Sequence, residues 1–356
     1  MPSVRGRPLH TRSLTVVVSR KSDTLWHARG DVIDLRKHGF VPMIDDIQPS
    51  GVIHMMSIEL DFDPETLRIE QISVDQPFVA IEASEASGGE CCRDPSSKLL
   101  ELRGDVFDAG FSKRLSSQFG GALGCSHLLT LFQLMGSTLP RAVELETERS
   151  LREKVRQPLG KCFFRRGLFV DGHERSDQTI DVAIQLADTH SRPIRAGGRP
   201  TERLELSHEV KAFIEIDRKR FRIQSLEARE RQRSHETLGR AEWILHTDRV
   251  AELVGAPLIP GMAGRIFKLL ADEASLRPLR DLLLQLAPGF IQITAALMDE
   301  YFEKRERSES RDSNEKPAEK PAVASFGGNT NSCYMWREDG RAVKAWASDT
   351  TDSGAN

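Results

Sequence analysis

Cysteine is scarce, with five in 356 residues. That is too few for a disulfide scaffold, and the adjacent Cys91 and Cys92 are poorly placed to bridge each other. Free thiols in a reducing cytoplasm are therefore expected. Long apolar runs are also missing: no stretch approaches the ~20 residues needed to cross a bilayer. The basic start (Arg5, Arg7, Arg12) has no following apolar region and no small-residue cleavage site, so it does not read as a secretory signal. A strong net charge is lacking too. At −3, no global field favours nucleic acid or an anionic membrane. Arg229-Glu230-Arg231-Gln232-Arg233 is a local exception, but acids and amides interrupt it, and it reads as a solvated helix or loop face. No phosphate loop, His-Glu-x-x-His or Gly-x-Ser-x-Gly occurs, and Gly120–Gly124 is too short for a dinucleotide fingerprint.

What is present is a repeat. At an offset of 154 residues (208 − 54), Arg12 falls on Arg166, Leu14 on Leu168, Val16 on Val170, Asp34 on Asp188 and His54 on His208. Asp63 falls on Asp217, and Leu67-Arg68-Ile69 on Phe221-Arg222-Ile223. A second block follows at an offset of 151 (255 − 104), pairing Gly104 with Gly255, Gly110 with Gly261, Arg114 with Arg265, Leu128 with Leu279 and Leu131 with Leu282. A short loop deletion accounts for the difference.

Each copy reads as strands followed by helices. Ile180, Val182, Ile184 and Leu186 alternate with Asp181, Ala183, Gln185 and Ala187, which predicts a half-buried strand. Asp63-Pro64-Glu65-Thr66 predicts a turn between two strands. Phe111, Leu115 and Phe119 have helical spacing, and so do Leu128, Leu131, Phe132 and Met135. The expected fold class is α+β: a tandem duplication in which each copy is an antiparallel strand meander followed by helices, with the copies packed as a pseudo-dimer. The expected boundaries are a first repeat at 1–140, a linker at 141–164 and a second, degenerate repeat at 165–302. A charged flexible linker at 303–325, a tail docking on the body at 326–346 and a disordered end at 347–356 complete the map.

Chemistry concentrates at Gly120-Gly121-Ala122-Leu123-Gly124-Cys125-Ser126-His127. Glycines allow tight turns and close approach, and the following helix start favours a thiolate or a bound anion. In the second copy Cys125 becomes Leu276 and His127 becomes Pro278, so one working copy and one scaffold copy are expected. Cys125 is a candidate nucleophile, thiol ligand or polar anchor, and His127 and His54 are candidate acid–base groups. Arg12 can hold a carboxylate bidentately and Asp34 can orient a histidine, with Cys333 from the tail as a further binding residue. Structural roles compete throughout. Cys125 can be a small core residue and His127 a cap, while Arg12, Asp34 and His54 all recur in the scaffold copy. A zinc site from Cys125, His127, Cys333 and His54 is chemically reasonable but lacks a compact spacing pattern.

The order His10-Thr11-Arg12, Asp31 to Asp34, His54-Met55-Met56, Leu102-x-Gly104, Gly110-Phe111, Gly120-Gly121 and Gly124-Cys125-Ser126-His127-Leu128 resembles the bacterial domain-of-unknown-function family 2889. The resemblance covers the first copy and, through Ser332-Cys333-Tyr334, the tail. It implies an architecture and no reaction. The functional expectation is a cytoplasmic enzyme acting on a small organic substrate, aromatic or carboxylate-bearing molecules among the candidates, by hydrolase or lyase chemistry. The alternatives are a non-catalytic binding or assembly protein and a zinc-stabilised structural domain. Cofactors and metal stay open, no nucleic-acid or membrane partner is expected, and oligomers are allowed.

Overall fold

Alternation builds the sheet. In β1 (Arg7–Arg20) the even-numbered residues from His10 onward are buried and the odd-numbered ones half-buried. In β2 (Trp26–Arg36) Trp26, Ala28, Val32 and Asp34 turn inward in the same way. A computed structural model describes residues 4–43, 46–176, 178–193, 198–270, 273–300 and 330–348. A short ribbon of β3 (Val41–Met43) and β4 (Asp46–Gln48) interrupts the first meander before β5 (Gly51–Phe62) and β6 (Ile69–Phe78). Three helices follow: α1 (Ser97–Leu100), α2 (Phe111–Phe119) and α3 (Ser126–Glu153).

The second copy runs β7 (Cys162–Ser176), β8 (Thr179–Ser191), β9 (Leu204–Asp217), β10 (Arg222–Arg233) and the short β11 (Ile244–Leu245). Then come α4 (Met262–Leu270), α5 (Arg277–Leu284) and α6 (Leu286–Ala295). All long strands join one antiparallel nine-stranded sheet of order β11-β10-β9-β8-β7-β1-β2-β5-β6. The first strand of each copy therefore lies at the centre, with Leu14 opposite Leu168, Arg12 opposite Val170 and Val16 opposite Arg166.

The repeat extends to backbone detail. Leu67 (φ 59°) and Phe221 (φ 52°) take the same left-handed conformation at the matching turn, each donating its N–H to Asp63 or Asp217. Isolated bridges Arg68–Val106 and Arg222–Pro257 recur at the two offsets. The helices share one face of the sheet. Helix α3 lies on β1, β2 and β5, α5 lies on β8 and β9, and α6 crosses from β7 to β1. Leu14, Val16, Leu131, Met135, Leu168, Val170, Leu282, Phe290 and Ile293 form one continuous core, each large side chain contributing roughly 1.5–3 kcal/mol by leaving water. Two glycines let α6 sit close to β7: a Cβ on Gly172 would meet Ile293 at 2.4 Å, and one on Gly289 would meet Val170 at 2.6 Å.

The expected linker at 141–164 begins as helix, because α3 continues through Pro140 as far as Glu153. The prolyl ring costs one backbone hydrogen bond, to Gly136, whose missing side chain leaves room for the Phe111 ring. Its charges pair internally. Arg149 bonds Glu146 (2.6 and 3.0 Å) and Glu153 (3.0 Å) at helical spacing, and Glu146 also meets His190 (2.9 Å) and Gln157 (2.9 Å). The Arg229–Arg233 run is the end of strand β10 and not a helix or loop face, with Arg229 and Arg231 over the Trp243 ring and Arg233 on Glu209.

From Thr330 the tail forms a short turn, Tyr334–Trp336, and a helix, Arg341–Ser348. Met335 and Ala342 pack against Ile81, and the Tyr334 N–H donates to the Gly124 carbonyl at 2.8 Å. The expected charged linker at 303–325 and the end beyond 348 lie outside the described residues.

Candidate functional site

Strand register assembles the first part of the site. Arg12 on β1 lies opposite Asp34 on β2, and Asp34 lies opposite His54 on β5, so the three form a row across the core face. A register shift at this point skips Ile53, which lets both Ile53 and His54 point inward, as bulges beside functional sites often do. The second part descends from the start of α3. Gly121 takes φ +57°, and a Cβ on Gly124 would meet the Phe119 carbonyl at 2.2 Å, so the chain turns here only because these residues lack side chains. Cys125 is the N-cap, and His127 in the first turn reaches the row below.

Asp34, fully buried, is the hub. Its Oδ1 meets His10 Nε2 at 3.1 Å, and its Oδ2 meets His127 Nε2 at 3.3 Å, His54 Nδ1 at 3.5 Å and Arg12 Nη1 at 3.5 Å. The His54 and His127 rings stack with centroids 3.8 Å apart. Arg12 rests on Thr130 Oγ1 at 2.6 Å, and the Gln292 amide of α6 approaches His127 Nε2 at 3.3 Å. Cys125 Sγ lies 3.8 Å from His127 Nδ1 and 3.9 Å from Met56 Sδ.

Charge states follow from these surroundings. Burial by itself pushes the Asp34 carboxyl up, but the Arg12 guanidinium and the His10 hydrogen bond prevail and hold it well below the usual carboxylate range. Burial, reinforced by His54 and Arg12, holds His127 well below the usual imidazole range, so it is neutral at neutral pH. Burial also pushes the Cys125 thiol up to about 12, and the Cys92 and Cys333 thiols rise for the same reason. The helix N-terminus does not produce a thiolate here, because desolvation exceeds the help from backbone N–H groups.

The cluster opens on a cavity of about 200 Å³ with mostly apolar walls, among them Val41, Ile53, Met56, Ile81, Leu129 and Ile291. Two guanidiniums border it, Arg12 and Arg36. Arg36 is buried and hydrogen-bonds neutral groups, the Gln48 carbonyl at 2.8 Å and its side-chain oxygen at 3.0 Å; burial pushes its pKa down to about 10, although the Asp34 and Asp299 carboxylates oppose the shift.

The model of the family described as "Protein of unknown function (DUF2889)" matches residues 10–140 and again 164–292, well over half of the chain. The chain belongs to the DUF2889 family. A search of curated proteins finds none that matches it.

The two DUF2889 copies treat the same row differently. In the second, Arg166 makes a two-pronged bond to Asp188 (2.7 and 2.7 Å), and Asp281, which stands where Thr130 does in the first, adds a third contact at 2.9 Å. His208 turns to Glu230 on β10 (3.0 Å), which also meets His246 (3.0 Å). Pro278 takes the place of His127 in the first turn of α5. Arg166 is thus held by two carboxylates, whereas Arg12 has one carboxylate and a hydroxyl.

Five of the six residues singled out from sequence border the cavity: Arg12, His54, Cys125, His127 and Cys333. Asp34 stands behind the wall, bonded to them. Sequence reasoning missed His10, Arg36, Thr130 and Gln292 as members of the site. His10 shares a strand face with Arg12, and Thr130 lies one helical turn after His127, so both had a periodic signal. Gln292 comes from the other copy and had none. No helix among the described residues is long and apolar enough to cross a membrane.

Proposed function

We propose that the protein is an enzyme acting on a small carboxylate-bearing, aromatic or short apolar molecule in the first-copy cavity, by hydrolase or lyase chemistry. The observation that carries this reading is the contrast between the copies: in the second, Arg166 is locked by two carboxylates and His208 by Glu230, while in the first Arg12, Arg36, His54 and His127 all border an open cavity. A buried cation whose hydrogen bonds go to neutral groups, with carboxylates acting on it without a hydrogen bond, is stabilised further when an anion binds it directly. A substrate carboxylate on Arg36, with Arg12 beside it, supplies that anion.

Size points the same way. In another protein an apolar cavity of about 150 Å³ takes benzene, so about 200 Å³ suits a single ring or a short chain. The reacting end is the Asp34–His54–His127 cluster, where the lone pair of a neutral imidazole accepts a proton or another electron-pair acceptor and the ionised carboxylate stabilises the cation formed. Cys125, as a neutral thiol, serves as a polar anchor for His127. The tail, seated on Gly124, covers the cavity with Cys333 and Tyr334. In this reading the two copies form a pseudo-dimer about an axis through Leu14 and Leu168, working in the cytoplasm, with the second copy as scaffold.

The test is a mass-spectrometric screen of small aromatic and aliphatic carboxylic acids and their esters, comparing the wild type with His127→Ala and His208→Ala. Turnover lost in His127→Ala and kept in His208→Ala is expected. Turnover equal in all three would sink the reading. The mostly apolar wall also suits a binding protein without turnover, and carboxylate binding that depends on Arg36 with no product formed would select that alternative.

A further inference from the structure

From the geometry we infer that Asp34, His54 and His127 form a binding site for one divalent transition-metal ion of the zinc class. This deepens the reading above, on which it rests for the choice of cavity. One ligand atom from each residue (the Asp34 carboxylate oxygen, His54 Nδ1 and His127 Nε2) lies within 4.8 Å of the other two. Oδ2 of Asp34 is 3.5 Å from the His54 nitrogen and 3.3 Å from the His127 nitrogen. Ligands about 2.0–2.1 Å from a tetrahedral ion stand about 3.3–3.4 Å from each other, so both distances from the carboxylate oxygen are close to those of a coordination shell, and the two imidazole nitrogens lie within 4.8 Å of each other. Two imidazoles and a carboxylate are a donor set that suits zinc, iron, cobalt or nickel far better than calcium or magnesium.

A second observation is independent of the spacing. His54 is only 5% exposed, and its Nδ1 makes no hydrogen bond of acceptable geometry with any neighbour among the described residues. A buried nitrogen aimed into the cluster, with only the 3.5 Å contact to Asp34 Oδ2, is under-satisfied if nothing fills the position, and an ion fills it. The surrounding contacts resemble an outer shell. His10 binds the far carboxylate oxygen, Oδ1, and leaves Oδ2 to the cluster, and Cys125 stands beside the other nitrogen of His127. Arg12 competes for Oδ2 at 3.5 Å, but its other terminal nitrogen is already anchored on Thr130 at 2.6 Å, and it yields the oxygen without losing that bond. The Gln292 amide nitrogen, 3.3 Å from His127 Nε2, caps that nitrogen and must swing away, or turn its oxygen inward, when an ion binds.

The second copy is a built-in control. It keeps Asp188 and His208, but Asp188 is engaged by Arg166, His208 by Glu230, and Pro278 replaces the third ligand.

The experiment uses the full chain. Metal content is measured by inductively coupled plasma mass spectrometry as purified. The chelator-treated chain is then titrated with cobalt(II), whose visible d–d absorption reports tetrahedral nitrogen and oxygen ligation. About one ion per chain and a d–d band are expected in the wild type and in His208→Ala, and neither is expected in His54→Ala or His127→Ala. Circular dichroism checks that each variant is folded, and chelation of the wild type gives the same readout without any substitution. A wild type that takes up no cobalt, or folded His54→Ala and His127→Ala variants that keep the band, would overturn the site. Benzoate binding, followed by calorimetry, separates the two readings. Binding by a chain that takes no cobalt overturns the metal site alone, whereas cobalt uptake without benzoate binding supports the site and counts against the carboxylate cavity.

Discussion

Asp34 and Asp188 occupy the same position in the two copies, and their neutralisation should have unequal cost. Arg12 and Arg166 are both 2% exposed. Asp34 is the anion within reach of Arg12, at 3.5 Å, and the other partner, Thr130, is a neutral hydroxyl. Asp34→Asn therefore strands a buried guanidinium, a change that costs about 3–5 kcal/mol. Asp188→Asn removes a stronger pair by distance, 2.7 Å at both prongs, yet Arg166 keeps Asp281 at 2.9 Å and Ser137 at 3.2 Å. Its loss is that of hydrogen bonds to a charged group and not of the last counter-ion, about 1.5–3 kcal/mol. Distance alone would rank the two substitutions the other way. Urea unfolding at neutral pH, read from the shift in midpoint at constant slope, measures both. A larger loss in Asp188→Asn than in Asp34→Asn would refute the argument that Arg12 depends on a single carboxylate while Arg166 has two.

Acid stability should depend on Glu146. Burial raises this carboxyl, but His190, Arg149 and Gln157 together lower it below its ordinary value of 4.5. Its contribution is therefore present above that pH and lost as pH falls through the depressed folded value, and Glu146→Gln should flatten the acid limb of a stability–pH curve below about 4.5; an unchanged limb would count against the pairing. Thiol labelling tests the buried cluster: with its pKa pushed up to about 12, Cys125 should resist iodoacetamide at pH near 8 until the chain is unfolded, and rapid modification of the native protein would contradict the burial assigned to it. Close packing of α6 predicts that Gly172→Ala, whose Cβ meets branched Ile293 at 2.4 Å, costs about 1–3 kcal/mol. Gly30→Ala should cost less, because it meets the flexible Met135 at 2.7 Å, and a reversed order in thermal melts would show that side-chain flexibility does not decide the outcome.

Much of the architecture was legible in the chain itself, because a duplicated sequence repeats the periodicities that make strands and helices. Alternation at Ile180–Ala187 marks β8, Phe111–Phe119 marks α2, and the two offsets reappear in the turns at Leu67 and Phe221. The misreading came at Arg229–Arg233, where charge was taken for a solvated helix or loop face. Arg229 and Arg231 lie over Trp243, which follows the strand at some distance, and Glu146 and Arg149 are buried because each satisfies the other across helical spacing. Neither pairing is visible to a reading that scores residues singly.

Two copies, each of strands then helices, and the difference between them at Cys125 and His127 can be read along the chain. Those are local properties, set by periodicity and by residue identity at matched positions. Which of the polar residues meet depends on long-range packing. Register across β1, β2 and β5 brought Arg12, Asp34 and His54 into one row, the start of α3 lowered His127 onto it, and α6 of the other copy added Gln292. Packing also decided the chemistry of Cys125, since a thiol at a helix start becomes a thiolate or stays neutral according to how much water the surrounding chain excludes, and here burial excludes enough to keep the proton on.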